Sequence, residues 1–409
     1  MNKRFDLSNW TLEDFAMDKY DPTEEEIISL MDEMAERHPG MVSAIAGENT
    51  DGYPTALCNI MSKKELNRLA ALDGMENPDY EHNQIEVYNR AQHYIGIEHC
   101  DQWLPFNGMD MGEQGYEHGS FSHTTGMKIV VDGMEITDPD DVVDHMERFT
   151  FPAWEKQIAE FDKEAYIRAI GRFEYNHQLA VGPEVYRTSY GHFWRPSVCG
   201  YMVYGYENYF MAYQIYPEIM EKGMKIEARL ARLRNEAAAE AIMRYHLPKM
   251  NRLDLDICDS RGPIVSLKSL EKMWFPQFAY AMEPINKISD VRMIWHCDGN
   301  VMPLVPGLIE CGIRGFQGFQ YETGVDYKAL GKMRGNDGQP LFLMAGASVT
   351  DTLPFGTPSD VRAHIDWLVE NRGDAAIVLT CSSSMTPGVS SENIDAMIER
   401  FRYYRHHKK

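Results

Sequence analysis

Short apolar runs alternate with longer stretches of helical periodicity in the second half of the chain. The five runs are LDLDIC (253–258), VRMIW (291–295), GFQGF (315–319), LFLMAG (341–346) and AIVLT (376–380). After each run the apolar residues recur at helical spacing, as in TPSDVRAHIDWLVENRG behind the fourth run. Strands and helices in alternation predict a parallel sheet covered by helices.

The repeat favours a (β/α)8 TIM barrel. An earlier run, QLAVG (178–182), adds a further strand candidate, so the count approaches eight. A doubly wound sheet is the alternative, but it would need a Gly-rich phosphate loop after its first strand. The sequence contains no such loop. We therefore expect an α/β fold of the barrel type.

The N-terminal part reads differently. TEEEIISLMDEMAERH (23–38) begins with a Thr cap and an acidic first turn, which predict a helix. We expect residues 1–75 to form a mainly helical extension packed on the barrel, and 76–409 to form the barrel itself. From about residue 75 to 160 periodicity is poor, and the Gly-, Met- and His-rich segment 104–123 predicts a long loop insertion. His118 and His123 in that loop are interpreted as surface or lid residues.

Composition excludes several classes of partner. The 409 residues are 44% hydrophobic and 25% charged, as in globular proteins, and the net charge is −22. This charge repels phosphate backbones and anionic lipid, so we expect neither nucleic acid nor membranes as partners. Seven scattered cysteines without paired spacing favour reduced thiols and a cytoplasmic protein.

Polar and thiol side chains follow four of the five runs. In a barrel the chemistry lies at the C-terminal ends of the strands, so these side chains are expected to converge on one pocket. They are Cys258, Asp259, Ser260 and Arg261; His296, Cys297, Asp298 and Asn300; Glu322; and Cys381.

Strand alternation separates the members of the His-Cys-Asp triplet at 296–298. His296 and Asp298 would share one face, Cys297 would face the helix layer, and Gly299 would allow a sharp turn. His296, Asp298 and the distant Cys381 would form a three-ligand zinc site with an open fourth position. The alternative is a hydrogen-bonded pocket histidine and a buried thiol, and spacing alone leaves both open. Other candidates for a place among the ligands are Cys258, Cys297 and Glu322.

Two aromatic-rich stretches, 186–196 and 201–213, have two interpretations. They either pack in the core or form the wall of a pocket for a flat substrate, with Tyr190 or His192 as its polar group. The mixed-charge segment 221–241 predicts a solvated outer helix. A second His-Cys-Asp triplet ends in Asp101, which would reach the pocket from the first barrel strand. The substrate-binding candidates are Asp101, Tyr190, His192, Trp194, Arg261 and Asn300.

Five motifs together resemble the uroporphyrinogen decarboxylase superfamily over roughly residues 160–409. They are DICDSRGPIVSLKSLEKMWFPQ, HCDGN, YETGVDYKAL with its Glu322, LFLMAGASVTDTLPFGTPSDVRAHI and MTPGVSSENIDAMIERFRYY. The resemblance implies a (β/α)8 barrel with its pocket at the strand C-termini. True decarboxylases of this superfamily carry an N-terminal arginine-rich loop, and the sequence lacks one. The resemblance therefore points to the other branch, zinc-dependent methyltransferases that exchange methyl groups with a corrinoid protein.

The zinc signature of that branch is His-x-Cys with a second Cys ahead of a Thr-Pro…Glu-Asn segment. His296 matches the histidine, and Cys381 matches the distal cysteine ahead of Thr386-Pro387. Asp298 stands where the first cysteine is expected. A carboxylate is a harder ligand than a thiolate, so the site favours activating a bound oxygen over a thiol. This departure resembles the methyltransferase component of ether-cleaving O-demethylases.

The resemblance thus implies a specific activity. A methyl group would pass from a small methoxylated, aromatic substrate to the cob(I)alamin of a transiently bound corrinoid protein, with Zn²⁺ as the resident metal. The catalytic candidates are Asp259, His296 and Glu322, with Asp259 or Glu322 as an acid that polarises the ether oxygen.

Two rival functions stay open from sequence. One is a metal-free lyase on a small carboxylic acid, in which Asp259 and His296 exchange protons and Arg261 holds the carboxylate. The other is a ligand-binding barrel without catalysis. The oligomeric state is open as well, with a homodimer as one option.

Overall fold

The computed structural model describes residues 19–50, 52–109, 129–197 and 200–407. Most of the predicted 104–123 loop, including His118 and His123, lies outside these residues.

The strands of the described residues are short. They are β1 His99–Cys100, β2 Ile129–Val131, β3 Met134–Ile136, β4 Tyr186–Arg187, β5 Ser189–Tyr190, β6 Met250–Asp254, β7 Cys258–Asp259, β8 Gly262–Pro263, β9 Arg292–His296, β10 Ile313–Gln317, β11 Phe342–Ala347 and β12 Ala376–Cys381.

The helices are more extensive than the strands. They are α1 Glu24–Arg37, α2 Pro39–Ala46, α3 Lys63–Leu72, α4 Gln84–Ile95, α5 Pro139–His145, α6 Phe151–Ala159, α7 Lys163–Val181, α8 Tyr201–Tyr204, α9 Tyr206–Ile215, α10 Pro217–Arg244, α11 Leu267–Ser269, α12 Phe275–Ile288, α13 Val305–Glu310, α14 Tyr327–Leu330, α15 Thr352–Phe355, α16 Pro358–Glu370 and α17 Ser391–Arg405. Two π-helical segments, Met146–Thr150 and Leu270–Trp274, precede α6 and α12, and 3₁₀ turns span Met302–Leu304 and Tyr321–Thr323. Within the described ranges, no helix has the length and apolar content needed to cross a bilayer.

Six strands form one parallel sheet in the order β5-β6-β9-β10-β11-β12. A doubly wound sheet reverses its strand order at a switch point, and this sheet has no such reversal. Every residue of β11 and β12 is buried, as in parallel sheets covered on both faces. The architecture is therefore a mixed α/β fold with a curled parallel sheet of the TIM-barrel type.

The predicted strands agree with the structure where the apolar run is isolated. β9, β10, β11 and β12 coincide with the second to fifth runs within two residues. QLAVG (178–182) was wrong as a strand, because its apolar residues form the buried face at the end of α7. The helix ends at Val181 with Gly182 as its cap, and the strand pairing occurs later, in β4 and β5.

Residues near 55 also pair with the sheet. Ala56 N donates to Leu379 O (2.8 Å), and Leu57 N donates to His99 O (2.8 Å), so this segment connects β12 with β1. It lies before the predicted division at residue 75, which stays a prediction. The predicted cap of α1 is confirmed, since Thr23 and Glu26 form a reciprocal capping box.

Two parts of the region between residues 129 and 244 differ from the sequence interpretation. Residues 129–159 form the β2–β3 hairpin, α5 and α6, elements that their weak periodicity did not predict. α10 is not a solvated helix: it buries thirteen residues, among them Met220 and Met224, against α7 and α12. Its three consecutive alanines, 237–239, are almost fully buried, because small side chains let neighbouring helices approach closely.

Candidate functional site

The carboxyl ends of β6 and β9 bring three metal-binding side chains together. Asp254 pairs with His296 in the register of these strands, and each chain continues by two residues to Asp256 and Asp298. His296 Nε2 lies 3.8 Å from Asp256 Oδ1 and 4.0 Å from Asp298 Oδ1. Asp298 N also donates to Asp256 Oδ1 at 2.9 Å. Asp256, His296 and Asp298 form a group that can hold a metal ion.

The neighbours of His296 determine which ring nitrogen faces the carboxylates as an acceptor. Gln317 Nε2 donates to Ser382 O at 3.0 Å, so Gln317 Oε1 is left to accept a hydrogen bond from His296 Nδ1. The lone pair of Nε2 then faces two carboxylates. A cation bound between these three acceptors would satisfy all of them.

Asp298 is the less exposed of the two carboxylates in the group. Burial raises its pKa, and the negative charges of Asp256 and Asp254 raise it further against the opposing effect of His296. Ser383 Oγ donates to Oδ2 at 3.5 Å, but the buried Oδ1 accepts no hydrogen bond from any described residue. A metal at this position would satisfy Oδ1.

Two glycines shape the backbone around the group. Gly299 adopts φ +81°, and a Cβ there would lie 2.5 Å from Asp259 O, which confirms the predicted sharp turn after Asp298. Gly318 adopts φ +90°, and its Cβ would lie 2.6 Å from His296 Nδ1. Both positions therefore favour glycine.

Asp256 and His296 line a cavity of about 750 Å³. This volume is typical of small-molecule sites. The second aromatic stretch contributes much of its wall, in agreement with the pocket-wall interpretation of 201–213. The aromatic side chains of the described wall, apart from the histidines, are Trp154, Tyr201, Tyr204, Tyr209 and Tyr213.

Arg195 and Glu227 add opposite charges to the same cavity. Burial raises the pKa of Glu227 to about 7, although Ser197 N donates to its carboxylate at 2.7 Å. Arg195 donates to the backbone oxygen of Asp254. The sequence analysis missed Glu227 because it treated α10 as a solvated helix.

The structure brings the predicted zinc ligands together only in part. Cys381 Sγ lies 3.7 Å from Met397 Sδ, and a hydrogen bond with Cys58 together with burial holds its thiol pKa well above the usual value. Its thiol therefore contacts the helix layer rather than His296. Cys297 hydrogen-bonds with Cys258, likewise outside the group, as strand alternation predicted for Cys297.

Asp256, and not Cys381, is the third member of the group with His296 and Asp298. The sequence contained a pattern that could have indicated Asp256. In LDLDIC the acids Asp254 and Asp256 alternate with leucines, so a period of two places both on one face. The run was interpreted as a strand as far as residue 258, and only the residues at its end were considered. Because β6 ends at Asp254, the group that reaches the site lies inside the run.

The other catalytic candidates lie away from the cavity. Asp259 and Arg261 form a 2.6 Å ion pair on the exposed β7–β8 hairpin. Their mutual hydrogen bonds lower the pKa of Asp259. Glu322 accepts a hydrogen bond from Thr350 Oγ1 at 2.5 Å. None of the three belongs to the described lining of the cavity, so the catalytic roles of Asp259 and Glu322 and the substrate-binding role of Arg261 stay predictions.

Three substrate-binding candidates come from the first aromatic stretch. Tyr190 lies closest to the site, since its hydroxyl donates to Asp254 Oδ2 at 2.9 Å and burial raises its pKa to about 12. His192 Nε2 is instead 2.6 Å from Glu174, within a buried ion pair. Trp194 is exposed and packs against the Arg234 guanidinium.

Asp101 and Asn300 also have local partners. Asp101 is buried, and its carboxylate lies 3.3 Å from the guanidinium of Arg252. The same guanidinium lies 2.9 Å from the carboxylate of Asp254. Burial alone would raise the pKa of Asp101, but Arg252, His99 and backbone hydrogen bonds together lower it. Asn300 accepts a hydrogen bond from Met302 N at the start of a 3₁₀ turn. Substrate contact by either residue stays a prediction.

Comparison with known proteins agrees with this description. None of the curated proteins matches the sequence. Among solved structures, a methyltransferase from Methanosarcina mazei is similar in fold, with a TM-score of 0.51 and 16% sequence identity over 90% of this chain and 98% of that one. The family model for uroporphyrinogen decarboxylase (URO-D) matches residues 254–404, which include His296 and Asp298. Residues 254–404 are therefore similar to the uroporphyrinogen decarboxylase family, in agreement with the resemblance of the motifs.

Proposed function

We propose that the protein is a zinc-dependent methyltransferase that moves a methyl group from a methoxylated aromatic substrate to the cob(I)alamin of a corrinoid protein. The URO-D domain and the fold shared with a methyltransferase support a methyltransferase-like function. The observation that carries the proposal is the Asp256–His296–Asp298 group, of which Asp256 and His296 line an aromatic cavity.

The three side chains suit a zinc ion. Ligand atoms of a tetrahedral zinc site are about 3.3 Å apart, for bonds of roughly 2.0–2.1 Å. The distances of 3.8 and 4.0 Å from His296 to the two carboxylates therefore need only small side-chain movements. Gln317 would orient the His296 ring from behind, as outer partners of metal-binding histidines do. When bound, zinc would act as a Lewis acid on an ether oxygen of the substrate.

The cavity residues would position the substrate. Tyr209, Tyr213 and Trp154 offer apolar faces for an aromatic ring. Glu227, with a pKa of about 7, is partly protonated at neutral pH and can donate a hydrogen bond to a substrate oxygen. Arg195 balances its charge. A ring held in this way would present one methoxy group to Asp256 and His296.

The methyl acceptor would be a protein-bound corrinoid that docks where the strands end. The methyl carbon must come within bond-forming distance of the acceptor, so the partner has to cover the mouth of the cavity. A homodimer stays a separate prediction.

We also infer that the sheet closes into a complete (β/α)8 barrel. β4 pairs in parallel with β1, and residues 55–57 hydrogen-bond with both β1 and β12. With β5–β6 and β6–β9 pairing, these links run around the whole sheet. Closure would place the ends of all strands around one pocket.

Metal content of anaerobically purified protein is the first test. Mass spectrometry should find about one zinc per chain, and His296→Ala and Asp256→Ala should lose it. Cys381→Ala is the matched control, because its thiol contacts Met397 rather than the group. Loss of zinc in Cys381→Ala would restore the ligand set expected from sequence.

Activity is the second test. The wild type, zinc, a corrinoid protein reduced to cob(I)alamin and an aryl methyl ether should give the free phenol. Folded wild-type protein that holds no metal and transfers no methyl group would refute the proposal. Acid–base chemistry at His296 and Asp256 would then be the remaining function of the site.

A further inference from the structure

A chain of hydrogen bonds runs through the cavity wall, separate from the metal-binding group. The Tyr204 hydroxyl lies 3.0 Å from His145 Nδ1 and 3.0 Å from Thr150 Oγ1. On the other side of the ring, His145 Nε2 lies 3.1 Å from Asp132 Oδ2. All four residues line the cavity that also contains His296.

Separate elements build this chain. Asp132 lies in the tight turn of the β2–β3 hairpin, where it and Gly133 adopt φ +49° and +79°. His145 ends α5, and Tyr204 ends α8. Only tertiary packing brings them together, so the arrangement is not a local helix cap. It is also graded in exposure, because the His145 side chain is 2% exposed and that of Asp132 is 63% exposed.

The donors and acceptors of the chain are determined by Asp132. A carboxylate only accepts, so His145 Nε2 carries a hydrogen. When His145 is neutral, Nδ1 accepts the phenolic hydrogen of Tyr204. When His145 is protonated, Nδ1 donates to the Tyr204 oxygen, and the phenolic hydrogen is released towards Thr150 or the cavity. Burial raises the pKa of Tyr204, so the phenol keeps its proton unless His145 replaces that proton as it leaves.

We propose that Tyr204 is the general acid of the methyl transfer, with His145 as its proton reserve and Asp132 as the positioning residue of the ring. This inference rests on the proposed function. An aryl ether that loses its methyl group leaves a phenolate, and the cavity must supply a proton to it.

Atoms and charge are conserved in the demethylation and the proton transfer that follows it. The carbon–oxygen bond of the ether breaks and its electron pair stays on oxygen, while the methyl carbon bonds through an electron pair of the reduced corrinoid acceptor. The oxygen takes the phenolic proton of Tyr204, and Tyr204 takes the Nδ1 proton of His145. His145 becomes neutral with its remaining proton towards Asp132, and it regains a proton from solvent after the phenol leaves.

The kinetic test compares two ethers of different leaving-group acidity. Tyr204→Phe keeps the ring that stacks on Tyr209 and removes only the hydroxyl. For an unactivated methoxybenzene its single-turnover rate should fall about 100-fold, and for a nitro-substituted ether by less than about threefold, because an acidic phenol needs no proton. Equal losses for the two ethers would overturn the inference, since a structural defect affects both alike.

Matched controls remove the same groups elsewhere. Tyr216→Phe deletes a hydroxyl that bonds to Asp140 outside the cavity, and it should leave both rates unchanged. Asp132→Asn should slow the methoxybenzene reaction about tenfold and retain the leaving-group dependence. Asp144→Asn breaks an exposed ion pair with Arg148 and should not slow the methoxybenzene reaction. If Asp132→Asn and Asp144→Asn behave alike, Asp132 does not position the ring.

Phenol binding separates this inference from the proposed function. Calorimetry with the phenol product alone needs neither corrinoid nor reductant, and Tyr204→Phe should weaken binding about tenfold. If the wild type demethylates no ether but phenol binding depends on Tyr204, the methyltransferase proposal fails and the contact with a substrate oxygen stands. If Tyr204→Phe binds the phenol as tightly as the wild type does, the inference is overturned, whether or not the protein demethylates an ether.

Discussion

Replacing Gly318 by alanine should release the metal by displacing His296. Gly318 adopts φ +90°, and a Cβ at this position would lie 2.6 Å from His296 Nδ1 and 2.8 Å from its Cε1. The new Cβ cannot move away from the ring, because it would also lie 3.0 Å from Cys297 O. The imidazole therefore has to move, and its hydrogen bond with Gln317 moves with it.

The size of the movement follows from the geometry. Real Cβ atoms essentially never approach a heavy atom more closely than 3.0 Å, so the ring must withdraw by at least about 0.4 Å from its 2.6 Å position. Metal–ligand distances tolerate only about ±0.2 Å. Disturbing the support of a metal-binding histidine costs about 10–100-fold in affinity, and we expect a loss in that range.

Gly324→Ala is the matched control. Gly324 also adopts a positive φ (+100°), but its Cβ would only approach Asn300 Nδ2 at 3.3 Å. Both variants should lose about 1–2 kcal/mol of stability from the left-handed backbone, whereas only Gly318→Ala should lose zinc affinity. Competition with a zinc chelator, at a folded fraction verified by circular dichroism, measures the difference. Equal affinities in the two variants would refute the reasoning.

Three further predictions concern stability. Glu174→Gln leaves Arg187 buried without its carboxylate and should lower the free energy of unfolding at pH 7 by about 3 kcal/mol in urea titrations. Burial opposes ionisation of Glu174, but Arg187 and His192 lower its pKa to about 2, so the difference in stability between wild type and variant should shrink as the pH falls from 4.5 to 2. Thr23→Ala removes the cap of α1 and should cost about 1 kcal/mol in the same assay. Because burial raises the pKa of Glu227 to about 7, Glu227→Gln should stabilise the fold above pH 7 and leave it unchanged below pH 4.5; equal effects at both pH values would contradict the burial of its charge.

Local patterns predicted the elements of the fold wherever one interaction dominated. The apolar runs at β9 to β12 are short and lie between helical segments, so only a buried strand satisfies them. The cap of α1 was predictable because Thr23 bonds to a backbone group three residues away. QLAVG failed because a short apolar run also fits the buried face of a helix, and its length does not distinguish the two.

The sequence predicted the location of the candidate site and two of its three side chains. His296 and Asp298 follow from strand alternation, and the motifs that resemble the URO-D superfamily contain them. Cys381 was expected as the third ligand because it stands at the end of a strand, but its side chain faces Met397. Which face a terminal residue presents depends on the exact end of its strand, and sequence periodicity leaves that end uncertain by a few residues.

The sequence by itself determined the alternation of strands and helices, the position of the candidate chemistry at strand ends, and the negative net charge. Only the tertiary structure decided which groups meet. Asp256 reaches His296 because β6 and β9 pair in a register that aligns Asp254 with His296. Tyr204 meets His145 because separate helices and a hairpin pack together. Contacts between residues so distant along the chain depend on the packing of whole elements, and no local pattern of residues encodes that packing.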